Sequence, residues 1–89
     1  MNVSIIDWLG VYEQGIGLNL SLKVSDDKIY KFVYWFNKSG DFRLIADDEF
    51  KKDYNIDNLY EMEFSLILLK YIENNVLPKK EEIFREFKI

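Results

Sequence analysis

From Ile16 to Val24 every second residue is a large aliphatic: Ile16, Leu18, Leu20, Leu22 and Val24 alternate with Gly17, Asn19, Ser21 and Lys23. Strand side chains point to opposite faces with a period of two, so this run predicts a half-buried antiparallel strand. One of its faces must be covered, and the other suits water. Ser25-Asp26-Asp27-Lys28 has turn chemistry, and Ile29 to Phe36 is β-branched and aromatic, a second strand. Asn37-Lys38-Ser39-Gly40 predicts the next turn, with Gly40 free to take positive φ, and Asp41 to Ala46 a third strand. The expected sheet is a three-stranded antiparallel meander.

Helices are expected on either side of it. Ser4 and Asp7 fit a helix start, and Ile5, Trp8, Leu9 and Tyr12 recur at three- and four-residue spacing. This predicts a short helix over 5–14 stopped by Gly15. Gly10 weakens that helix by about 1 kcal/mol and leaves a strand as the alternative. From Asp57, an N-cap residue, helical spacing runs to about Asn75 with apolar residues around most of the circumference. Pro78 suits the first turn of a last helix, expected to fold back over the exposed side of the main one. The fold class read from the chain is α+β, a three-stranded meander packed on helices in the order α-β-β-β-α-α, with residues 1–89 as one domain.

Composition excludes several kinds of function. The chain has 89 residues, no histidine and no cysteine. No disulfide framework, thiolate metal site or histidine-based triad can be built. Asp47-Asp48-Glu49 lacks the alternating spacing and glycine of a calcium loop, and Lys51 and Lys52 follow it. Glu61 and Glu63 stand two apart on a helix and point in different directions, so they form no acid/base pair. Gly15-Ile16-Gly17 precedes a strand and is no phosphate loop. Lys79-Lys80 is too short for nucleic acid and runs into Glu81 and Glu82. The N-terminus has no basic leader, and the longest apolar stretch, Phe64 to Leu69, is interrupted by Ser65 and far short of the ~20 residues of a membrane span. A cytoplasmic protein with no enzyme activity, no cofactor, no metal, no direct nucleic-acid binding and no membrane contact is therefore expected.

Two features point to a protein partner. Between Asp41 and Glu63 eight acids face three bases, and the rest of the chain is nearly neutral. A local negative field favours a basic partner, which puts Asp47, Asp48, Glu49, Asp53, Asp57 and Glu61 forward as contact residues. The second feature is the sheet face away from the helices. Pairing Val24 with Tyr30 sets Leu22 against Phe32, Leu20 against Tyr34 and Leu18 against Phe36, with Phe42, Leu44 and Ala46 continuing that covered face. The opposite face then carries Ile29, Val33, Trp35 and Ile45, with Lys31 and Arg43 alongside. Tryptophan beside arginine is a composition common in binding hot spots. Scattered surface hydrophobes are the plainer alternative.

The order helix, three-stranded meander, helix resembles that of double-stranded-RNA-binding domains. Where that family has a lysine-rich helix start, this chain has Asn55 to Glu63 with three acids, so the resemblance is one of topology. The hairpin from Phe32 to Ala46 runs through an Asn-x-x-Gly turn and into acids. In this string, in length and in charge the chain resembles small acidic phage proteins that inhibit CRISPR nucleases, notably a type II-A group. That resemblance implies Asp47, Asp48, Glu49 and Asp53 filling a nuclease site that otherwise reads DNA. The functional expectation is a non-enzymatic inhibitor of a basic protein, a nuclease such as a CRISPR effector or a toxin. The alternative is a small homo-oligomer, such as a homodimer, that buries its free sheet face and apolar helix against a copy of itself.

Overall fold

A computed structural model of the chain describes residues 1–54 and 63–89. Four strands come first, β1 (Asn2–Tyr12), β2 (Gly15–Ser25), β3 (Lys28–Asn37) and β4 (Phe42–Ala46), paired antiparallel in sequence order. The helices follow: α1 (Asp48–Tyr54), α2 (Glu63–Asn75), a 3-10 turn at Leu77–Lys79 containing Pro78, and α3 (Lys80–Glu86). The start of the main helix at Asp57 lies outside the described residues.

The expected three-stranded order is thus wrong at its first element. The segment assigned to an opening helix is β1, an edge strand. Its pairing with β2 slips by one residue between Ile5 and Asp7 and again between Trp8 and Gly10. A bulge adds one residue to one strand and restores the inward phase a residue later. Val3, Ile5 and Trp8 therefore all oppose core residues of β2 (Leu22, Leu20 and Leu18), although Ile5 and Trp8 are three apart. That interval imitates the helical period. Gly10 holds φ +102°, a conformation no helix interior uses. Gly15 opens β2, and the turn before it is made by Glu13 and Gln14, both at positive φ as a two-residue hairpin of the primed type requires.

The faces of the meander are as the alternation implies, but the register is two residues off. Leu22 pairs with Tyr30, Leu20 with Phe32, Leu18 with Tyr34 and Ile16 with Phe36. A slip of two keeps every side chain on its face, so the apolar pattern cannot detect it. The tight Asp26-Asp27 turn and a bulge decide it together: Ser25 pairs directly with Lys28, and the slip between Lys23 and Ser25 then sets Lys23 against Ile29.

The inner face is covered by helices. Ile16, Leu18, Leu20, Leu22, Phe32 and Leu44 are buried against Phe50 of α1, Leu68 and Ile72 of α2, and Ile83 and Phe84 of α3. Phe50 is central: its ring centroid lies 5.0 Å from Tyr30 and 4.9 Å from Phe32, both edge-on, and it is fully buried. Burying such a ring stabilises by roughly 1.5–3 kcal/mol. The last helix does not fold over α2. It lays Phe84 against Phe36 (5.4 Å) and Phe87 against Trp8 (5.7 Å), beside α2 on the sheet. The outward side of α2 keeps Leu66 65% exposed. Among the described residues no helix is long and apolar enough to cross a membrane.

Candidate interaction surface

The sheet face away from the helices is organised in rows across the strands. Short polar side chains fill the β1 and β2 end. Ser4 Oγ and Ser21 Oγ are 2.7 Å apart, and Asn19 Nδ2 donates to Asp7 at 2.8 Å. The same row continues through Val33 to Ile45, its cross-strand partner on β4. Val33 is half-buried, while Ile45 is 46% and Ile29 54% exposed. Asn19, Lys31, Val33, Ile45, Ala46 and Asp47 line a shallow, largely apolar groove of about 250 Å³ here.

Trp35 does not belong to the exposed part of this face. It is only 4% exposed, which overturns its reading as an accessible hot spot. Its Nε1 donates to the Tyr12 carbonyl at 2.9 Å, and its ring fills the space a side chain at Gly15 would need. The Tyr12 ring covers Gly17 in the same way, 6.5 Å from the indole. Arg43, opposite Trp35 on β4, stacks its guanidinium 4.6 Å from the indole and pairs with Glu13 at 2.6 Å. Two glycines thus make a trough in the sheet, two aromatic rings fill it, and an arginine closes it. Burial, with Glu13 adding to it, pushes the Tyr12 phenol above its ordinary range.

The acidic segment proves to be largely helix chemistry. Asp47 caps α1, and residues 48–53 form most of its body. Asp47 is the cap: its Oδ1 accepts from the Phe50 amide at 2.8 Å, and its Oδ2 from the Lys31 amide at 3.2 Å. Asp48 and Glu49 occupy the first turn and Lys51 and Lys52 the last, the order that complements the helix dipole. That order, with Phe50 and Tyr54 at i,i+4, was the legible sign of a helix.

Among the described residues the acids make no ion pair with Lys51 or Lys52. Asp53 accepts from Tyr30 Oη at 2.6 Å and from Lys28 Nζ at 3.3 Å, and Glu49 lies 3.6 Å from the same lysine. The Tyr30 hydroxyl, then Lys28, hold the Asp53 carboxyl below its ordinary value. Reciprocally, the bond to Asp53 raises Tyr30 and Lys28 above theirs. The Asp48 side chain is exposed and makes no hydrogen bond or ion pair among the described residues. Asp57 and Glu61 lie outside the described residues.

Of the residues singled out from sequence, the structure brings Val33, Ile45 and Asp47 to one groove, with Asp48 next along the chain. Trp35 and Arg43 stand in the adjoining row, engaged with Tyr12 and Glu13. Asp53 and Glu49 sit apart, at Lys28 and Tyr30. Among the described residues no three acids, histidines or cysteines converge to hold a metal ion. Compared with known proteins, the chain matches no family model, no curated protein and no solved structure.

Proposed function

We propose that this chain is a non-enzymatic antagonist that binds a basic surface of a partner protein, a nuclease or a toxin. The observation that carries the reading is at the junction of β4 and α1. There an exposed isoleucine, Ile45, stands two residues from a run of three acids, at the border of a sheet face with none of the described helices on it. Apolar area supplies affinity, and the adjacent carboxylates supply orientation and a faster encounter. Asp48 is the acid best placed for this, because Asp47 is committed to the α1 cap. Glu49 contributes its charge less, being shared with Lys28.

The test uses candidate basic nucleases and toxins immobilised for binding at low and high salt. The parent chain is expected to bind one of them with an affinity that falls steeply with ionic strength. Asp48→Lys with Glu49→Lys should cut that affinity at least tenfold at low salt while the far-ultraviolet spectrum is unchanged. Binding equal to that of the parent would make these acids a solubility device.

A second reading is favoured by the exposure of Ile29 and Ile45 on one face: self-association through that face. It predicts a concentration-dependent dimer in sedimentation that persists in high salt and dissociates in Ile45→Asp. A monomer at all concentrations would remove it.

A further inference from the structure

We draw no further inference here: the strongest candidate, the apolar strip of Ile6, Leu9 and Val11 on the edge strand β1, sits on two bulges that break the ladder an added strand would need, and nothing in the structure shows what covers it.

Discussion

The indole of Trp35 occupies the space above the α-carbon of Gly15, so that a methyl group on Gly15 would overlap the ring. The glycine is there because the tryptophan is, and the ring is pinned by its bond to the Tyr12 carbonyl. Gly15→Ala should therefore destabilise by about 1–3 kcal/mol through overpacking. Trp35→Ala should cost about 3 kcal/mol, as for a buried ring. Since the two residues act on one contact, the double variant should be no less stable than Trp35→Ala alone. Urea unfolding of the three variants checks this; strictly additive losses would show that the overlap is not the cause.

Asp47 and Asp48 are neighbours with different work. Asp47→Ala removes the α1 cap and should cost about 1 kcal/mol. Asp48→Ala, exposed and without a partner among the described residues, should stay within about ±0.5 kcal/mol. Thermal unfolding of the pair decides it. Equal losses would mean that the cap bond contributes nothing. For the same reason, reversing Asp47, Asp48 and Glu49 together to lysine is not neutral for the fold. It deletes a cap and places three cations at the positive end of a helix.

The cluster of Lys28, Tyr30 and Asp53 predicts a shape for stability against pH. The folded-state value of Asp53 is depressed below its ordinary 3.8, so its contribution is complete above that value and is lost as pH falls through the depressed one. Tyr30 is raised above its ordinary 10.0, so its contribution is complete below that value and is lost as pH rises further. Asp53→Asn should flatten the acid limb and weaken the alkaline limb while lowering the melting temperature near neutrality. An unchanged profile in unfolding scans from pH 2 to 11 (roughly the span set by the unperturbed values) would show that the cluster is not coupled to folding.

Binding through the β4 and α1 junction makes a kinetic distinction. Asp48→Lys should act mainly on the association rate, and Ile45→Ala mainly on dissociation, about tenfold each. Stopped-flow or surface-binding traces separate the two, and an Ile45→Ala effect confined to association would contradict a desolvated apolar contact.

What was legible in the chain depended on where the determining interactions lie. β2 could be read because its alternation reports a face covered by helices, and Leu18, Leu20 and Leu22 are all buried. β1 could not, because two bulges set Ile5 and Trp8 on one face three residues apart. The pairing of β2 with β3 was right in parity and wrong by two, because parity is what side-chain patterning encodes, while the turn and the bulge at Val24 set the rest. Trp35 was misplaced for a longer-range reason. Its burial needs Tyr12 brought over the sheet by the Glu13-Gln14 turn, a contact 23 residues distant. Helix α1 was legible in its charge order, acids in the first turn and lysines in the last, with Phe50 and Tyr54 one turn apart.

The two slips in β1 carry a consequence for the molecule in solution. Each is one residue long, so removing Ile6 and Leu9 together would leave every remaining β1 residue opposite its present partner, from Asn2 against Lys23 to Tyr12 against Gly15. The shortened strand would be a straight ribbon of nine residues with an uninterrupted row of amides along its rim. Such rims template the next molecule. The two residues that spoil the regularity of β1 thus leave its rim a poor template, so that a further strand laid along this edge could not form a continuous ladder.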